Sequence, residues 1–193
     1  MISGVILAAG DSKRMGQPKM LLPWGSLTVI EHVVSTFLRA GIEDLVVITG
    51  GAHQQVAESL DRLSVRKIYN EEYAAGEMLS SLQWGIRHLG ESTQAALIGL
   101  GDQPQVQEST IRAICKTYTE SGSNLIVPSF ERRRGHPWLV ARSLWHELLT
   151  LQPTQSPRDF LNSHSAHIHY VDIDTPTILA DLDTPDDYQR AHP

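Results

Sequence analysis

Short apolar runs and stretches of helical periodicity alternate along this chain. Gly4 to Ala9 is continuously apolar and small, which predicts a first buried strand. In residues 26–40, Ile30, Val33, Val34, Phe37 and Leu38 recur at i, i+3, i+4, i+7 and i+8, one face of a helix that Gly41 stops. Leu45 to Thr49 is β-branched and reads as a second strand; Val56, Leu60 and Leu63 then mark a helix, and Val65 to Tyr69 a third, shorter strand. After a loop centred on Gly76, Leu79, Leu82, Ile86 and Leu89 form another helical stripe. Ala95 to Leu100 is a strand that ends in Gly101-Asp102-Gln103-Pro104, followed by a helix through Ile111, Ile114 and Tyr118 and a strand at Leu125 to Val127. The repeated strand–helix order predicts an α/β fold, a mostly parallel sheet with helices on both faces.

The last third is less regular. Arg132 to Arg134 reads as a charged loop, Trp138 to Ala141 as a short strand, residues 143–151 and 157–163 as helices, and Ile168 to Ile173 as an alternating strand. Thr184-Pro185-Asp186-Asp187 has the form of a helix start, with Thr184 as N-cap, Pro185 in the first position and Asp187 closing a capping box. No repeat or linker interrupts the 193 residues, so one domain spanning 1–193 is expected.

Composition narrows the partners. With 22 Asp and Glu against 16 Lys and Arg, the formal net charge is −6, which argues against nucleic acid while leaving room for a small phosphorylated ligand. Cys115 is the single cysteine, so neither an internal disulfide nor a thiolate zinc cluster can form, and its place beside a helical stripe suggests core. The N-terminal apolar run is too short for a membrane span and lacks a basic start, so the expected location is cytoplasmic with no membrane partner.

The chemistry concentrates where the first strand runs into Gly10-Asp11-Ser12-Lys13-Arg14-Met15-Gly16. Ligands of open α/β sheets bind at the carboxyl ends of strands. Glycines there let backbone N–H groups approach phosphate oxygens, and Lys13, Arg14 and Lys19 supply positive charge. The spacing is neither Gly-x-Gly-x-x-Gly nor the Walker pattern. Asp102, at the end of a central strand, is placed either to hold Mg²⁺ or to cap the turn at Gln103-Pro104. Asp181 and Asp183 share one face of an extended segment by their period-two spacing. Ser80 and Ser81 open a helix whose N–H groups and hydroxyls suit a ribose or base, or serve only as first-turn residues. His164, His167 and His169 have no acid beside them in a clear ligand pattern, and no Gly-x-Ser-x-Gly elbow occurs.

The string Leu-Ala-Ala-Gly-x-Ser-x-Arg-Met-Gly-x-Pro-Lys-x-Leu-Leu-Pro, residues 7–23, closely resembles the signature of the nucleotidyltransferases that act on the molybdenum cofactor. Its Leu-Ala-Ala-Gly form is most similar to the cytidylyltransferases of that group, where guanylyltransferases typically read Leu-Ala-Gly-Gly. The resemblance continues at Gly76 to Leu82, Gly101 to Pro104, Arg134 to Pro137 and Asp181 to Asp187, and so spans nearly the whole chain. It implies a Rossmann-like, three-layer fold of the nucleotide-diphospho-sugar transferase type. It implies nucleotide contacts from Leu7, Ala8, Ala9, Gly10, Ser12, Lys13, Arg14, Gly16, Lys19, Ser80 and Ser81, with Arg14, Lys19 and Asp102 catalytic. Asp102, with Asp181 and Asp183, would hold Mg²⁺, and Arg134, Gly135 and His136 would face a pterin acceptor. Glu77, inserted between Gly76 and Met78, departs from the family's Gly-Met pattern.

The implied reaction is transfer of CMP from CTP to the phosphate of molybdopterin with release of pyrophosphate. Two rivals stand beside it: a nucleotidyltransferase using GTP or a sugar-phosphate acceptor, and a non-catalytic carrier that hands the cofactor to a molybdenum hydroxylase.

Overall fold

A computed structural model describes residues 1–193, apart from the side chains of residues 75–77. In chain order the elements are β1 (Ile2–Ala8), a hairpin of β2 (Pro23–Trp24) and β3 (Leu27–Thr28), α1 (Val29–Arg39), β4 (Leu45–Thr49), α2 (His53–Ser59), β5 (Arg66–Tyr69) and α3 (Tyr73–Arg87). There follow β6 (Ala95–Leu100), α4 (Glu108–Ser121), β7 (Leu125–Phe130), β8 (Arg133–Arg134), β9 (Trp138–Ala141), α5 (Trp145–Thr150), α6 (Pro157–Ser163), β10 (His169–Asp172) and α7 (Pro185–Ala191).

The sheet order is β10-β7-β9-β6-β1-β4-β5, with β8 paired to β7. β1 pairs in parallel with both β4 and β6, β4 with β5, and β7 with β10. β9 runs antiparallel to both β6 and β7. This is the expected mostly parallel α/β sheet, with one reversed strand in its interior. The reversal follows from length: only residues 131–137 join β7 to β9, too few for the crossover a parallel return needs. Within that connection the expected charged loop is instead a tight turn, with Glu131 and Arg132 at φ 49° and 63° and Arg133–Arg134 pairing back on β7.

Two apolar layers close the sheet. On one face Ile30, Phe37, Ile111 and Ile114 of α1 and α4 pack on Ile6, Val47 and Leu97. On the other, Leu82 and Ile86 of α3 pack with Trp138, Trp145 and Phe160 on Val5, Ile48 and Ile98. Cys115 is partly buried against the first layer, in line with its expected place in the core, and burial pushes its thiol up to about 11. No helix among the described residues is long and apolar enough to cross a membrane.

A third, small cluster fixes the site. Met15, Leu22, Trp24, Val29 and Leu182 bury together, tying the end of the first loop to the C-terminal segment. The Thr184 capping box forms as expected: Thr184 Oγ1 accepts from Asp187 N–H and Asp187 Oδ2 accepts from Thr184 N–H.

Helix boundaries differ at two places. α2 ends at Ser59, short of the expected Leu60 and Leu63. α3 starts at Tyr73, before Gly76, because Asn70 turns the chain: its Oδ1 accepts from Glu72 N–H at 3.0 Å and its carbonyl from Tyr73 N–H at 3.2 Å. The side chains at the Gly76–Glu77 step lie outside the described residues.

Candidate nucleotide-binding site

The carboxyl ends of β1 and β6 lie side by side, since Leu7 is in register with Leu100. The loop after β1 and Asp102 after β6 therefore meet across one opening. Lys19 enters it from a short 3₁₀ turn, held by a hydrogen bond from its N–H to Ser12 Oγ at 3.1 Å. Ser12 sits at φ 53°, and its carbonyl takes the N–H groups of Met15 and Gly16.

The Lys19 ammonium donates to Asp102 Oδ2 and, at 3.2 Å, to Asp183 Oδ1. Arg14 donates to the other oxygen of Asp183 at 2.9 Å. Burial pulls the Lys19 pKa down, but Asp102 and then Asp183 outweigh it and leave the ammonium above its ordinary value, firmly charged. Leu182 explains why both flanking acids reach the cavity. It is buried and its N–H donates to Asp102 O at 3.0 Å, so the residues on either side of it are turned the other way.

Asp181 is engaged differently, accepting from Gln103 Nε2 at 2.7 Å. Loss of solvent around its carboxyl, with the charge of Asp102 next in size, raises its pKa above the ordinary carboxylate range.

These groups line a cavity of about 370 Å³ that includes Leu7, Ala9, Gly10, Arg14, Lys19 and Ser81, together with the three acids. An adjoining cavity of about 390 Å³ adds Asp11, Ser12 and Lys13. Most of the expected contacts thus converge, and three do not. Ala8 is a core residue of β1, packed with Ile30 and Met20. Gly16, at φ 71°, serves the turn on Ser12. Ser80 lines neither cavity and instead accepts a hydrogen bond from Asn70 Nδ2 at 2.7 Å. The early start of α3 also puts Ser80 and Ser81 beyond the first turn, so their N–H groups are spent within the helix and only hydroxyls remain for a ligand.

Gly10 is open on its cavity side. A Cβ built there meets nothing within 4 Å, and its φ is not among the positive values. Gly10→Val is therefore expected to melt like the parent while raising the KM for a nucleotide by about tenfold or more, since the branched side chain occupies ligand space. A fall in melting temperature without a KM change would assign Gly10 to the fold alone.

The donor set suits a divalent cation. Lys19 already brings a positive charge between Asp102 and Asp183, whose hard oxygens are what Mg²⁺ or Mn²⁺ take. Among the described residues no group of three His, Cys, Asp or Glu side chains could hold a metal ion, so the expected trio of Asp102, Asp181 and Asp183 is not assembled as one, Asp181 being turned to Gln103. The histidines 164, 167 and 169 form no such group either; His164 pairs with Glu147 at 3.1 Å.

A larger cavity, about 870 Å³, lies on the other side of Met78, which lines both. Its wall carries Arg132, Arg133, Arg134 and Arg158, and no Asp or Glu among the described residues, in a chain whose net charge is −6. Trp138, Leu161 and Leu179 give it an apolar side. Gly135 is packed so tightly that a Cβ would lie 2.4 Å from Ile178 O. Arg134 donates from Nε to Tyr170 Oη at 2.8 Å and from Nη1 to Asn162 Oδ1 at 2.9 Å. The sequence pointed to Arg134, Gly135 and His136 here but missed Arg158, Asn162 and Tyr170, which come from α6 and β10. Their only sequence signal is the alternation of β10 and the polar face of a short helix.

His136 is neutral in this wall: burial pushes its imidazole down to about 4. The sign of its effect on stability follows. A pKa depressed below its ordinary 6.5 contributes stability above pH 6.5 that is lost as the pH falls through about 4. Melting temperature should decline over that window, and His136→Gln should flatten the decline; an unchanged acid limb would show that His136 is not its source.

Comparison with known proteins accords with this geometry. The MobA-like NTP transferase domain matches residues 4–168. The chain is 30% identical to molybdenum cofactor cytidylyltransferase of Escherichia coli K12, over 98% of this chain and 95% of that protein. It is 26% identical to nicotine blue oxidoreductase of Paenarthrobacter nicotinovorans over the same shares. Among solved structures, Rv0371c of Mycobacterium tuberculosis H37Rv superposes with a TM-score of 0.85 at 30% identity, covering 98% of this chain and 97% of that one. A second structure of Rv0371c, described as a complex with manganese, has a TM-score of 0.81 at 28% identity over 99% and 97%. A nucleotidyl transferase from Methanothermobacter has a TM-score of 0.85 at 28% identity over 100% and 96%. With the family model matching residues 4–168 and the fold shared over nearly the whole chain, this chain belongs to the MobA-like NTP transferase family, a nucleotidyltransferase on the nucleotide-diphospho-sugar transferase fold.

Proposed function

We propose that this nucleotidyltransferase moves CMP from CTP to the terminal phosphate of a molybdopterin-type acceptor. The observation that carries the reading is the convergence of Lys19 and Arg14 with Asp102 and Asp183, beside a large arginine-lined cavity with no acid among its described residues. In the reaction an acceptor phosphate oxygen forms a bond to the α-phosphorus, the bond to the β-phosphate bridging oxygen breaks, and the electron pair leaves with pyrophosphate. No side chain needs to become covalently attached. Lys19 and Arg14 would bind the triphosphate and offset charge on the departing group. Asp102 and Asp183, with Asp181 beside them, would hold a divalent ion, Mg²⁺ in this reading, and the manganese-bound relative supports a metal of that class. Such an ion, when bound, supplies Lewis-acid charge on the phosphates.

Cytidine is favoured by Ala9 in the Leu-Ala-Ala-Gly loop and by the name of the Escherichia coli relative. The acceptor is favoured by the arginine wall, which suits a ligand with an apolar ring body and several negative charges. A molybdenum hydroxylase is then the natural recipient of the product.

The test is incubation of the pure protein with Mg²⁺ or Mn²⁺, molybdopterin and each of CTP, GTP, ATP and UTP, following pyrophosphate. Release with CTP alone is expected. Release with GTP alone would move the base assignment, and release only with a sugar phosphate in place of molybdopterin would move the acceptor. Silence with every combination would overturn the transferase reading in favour of a carrier, or of a redox role like that named for the Paenarthrobacter relative.

A further inference from the structure

Asn70 is fully buried directly after β5, and all of its polar atoms are engaged. Its N–H donates to Thr49 O at 3.0 Å, and its Oδ1 accepts from Glu72 N–H. Its Nδ2 donates to Ser80 Oγ at 2.7 Å and to Ser81 Oγ at 3.1 Å. The orientation of the amide is determined by chemistry. A backbone N–H can only donate, so the oxygen must face Glu72 and the NH₂ must face the serines. Both hydroxyl oxygens therefore accept from Asn70, which leaves each serine, among the described residues, its proton and one lone pair.

Only Ser81 of the two lines the nucleotide cavity, with Ala9, Gly10, Lys19 and Asp102. We infer that Asn70 is a positioning residue, which holds the Ser81 hydroxyl as a hydrogen-bond donor to an oxygen of the bound nucleotide. The polarity is the point: with one lone pair committed to Asn70, the Ser81 proton is directed away from the amide and toward an acceptor atom in the cavity, such as a pyrimidine carbonyl or a ribose oxygen. This rests on the cavity being the nucleotide site, as proposed above. Asn70 touches no ligand itself and acts through Ser81.

Asn70→Asp tests it, because the shape and the bond to Glu72 are kept while the group facing Ser81 becomes an acceptor. The Ser81 proton then turns inward and its lone pairs face the cavity. Titration calorimetry with CTP and Mn²⁺ should show binding weakened on the order of tenfold, the worth of one hydrogen bond, with KM rising more than kcat falls. In a Ser81→Ala background the same substitution should change binding less than twofold. An equal loss in both backgrounds would mean a general structural or charge effect and would overturn the inference, as would unchanged affinity. If Asn70→Asp fails to fold, Asn70→Ala supplies the same cycle, since it also leaves Ser81 unheld. Failure of the parent protein to bind any of the four nucleotides would overturn the site assignment and the inference with it. Binding of GTP in place of CTP would overturn only the base assignment, and the cycle run with GTP would still decide the role of Asn70.

Discussion

Lys19→Ala is expected to slow pyrophosphate release by about 10²–10³-fold, the usual cost of removing one preorganised charge from a transition state. Asp102→Asn should fall in the same range for the complementary reason, loss of a carboxylate for the proposed metal. The side chains of this pair are only 11% and 15% exposed, so truncating one partner leaves the other poorly solvated. Lys19→Ala should therefore also lose about 1–3 kcal/mol of stability, less than a fully buried pair, because Asp183 reaches solvent and keeps Arg14. A second signature separates catalysis from simple destabilisation. In the free protein the ammonium occupies Asp102 and Asp183, the groups that a divalent ion would need. Without Lys19, Mn²⁺ should bind more tightly than to the parent in the absence of nucleotide, even as turnover collapses. Near-normal turnover, or weaker Mn²⁺ binding, would remove Lys19 from the role given to it.

That competition was not legible in the sequence, although each residue was. Lys13, Arg14 and Lys19 look equivalent as a run of cations after a strand. The structure separates them: Lys13 is 85% exposed and pairs with Asp11 at 3.4 Å, whereas Lys19 is drawn inward by the Ser12 hydroxyl and by two carboxylates. The strands were readable because buried parallel strands are continuous apolar runs, as at Ala95 to Leu100. β9 was readable as a strand but not as a reversed one, since direction depends on connection length and pairing rather than on residue type. The start of α3 was placed late because Gly76 resembles a loop residue, while the true boundary is set by Asn70, whose three side-chain bonds reach residues up to eleven positions away. Period-two spacing correctly turned Asp181 and Asp183 to one side, but it could not show that Leu182, buried between them, is the anchor.

Arg134→Ala is expected to raise the KM for the phosphorylated acceptor by about tenfold to a hundredfold, while the KM for CTP stays near that of the parent. The first half follows from preorganisation. Arg132 and Arg133 stand exposed on the β7–β9 turn, but Arg134 is held by Tyr170 Oη and Asn162 Oδ1 and lies 5.8 Å from the Tyr170 ring centroid. A guanidinium held this way loses little further freedom when an anion arrives, and a hydrogen bond to a charged group is worth about 1.5–3 kcal/mol. The second half follows from separation, since this cavity shares Met78 with the nucleotide cavity but none of its charged groups. Lysine should not rescue, because an ammonium cannot satisfy Tyr170 and Asn162 and still offer a flat pair of donors to a phosphate. Tyr170→Phe should cost less than Arg134→Ala, because the ring under the guanidinium remains. Steady-state kinetics with the acceptor varied at saturating CTP would check all three variants. Equal changes in both KM values, or a drop in melting temperature with neither changed, would make Arg134 a strut between β8, β10 and α6 rather than a contact for the acceptor.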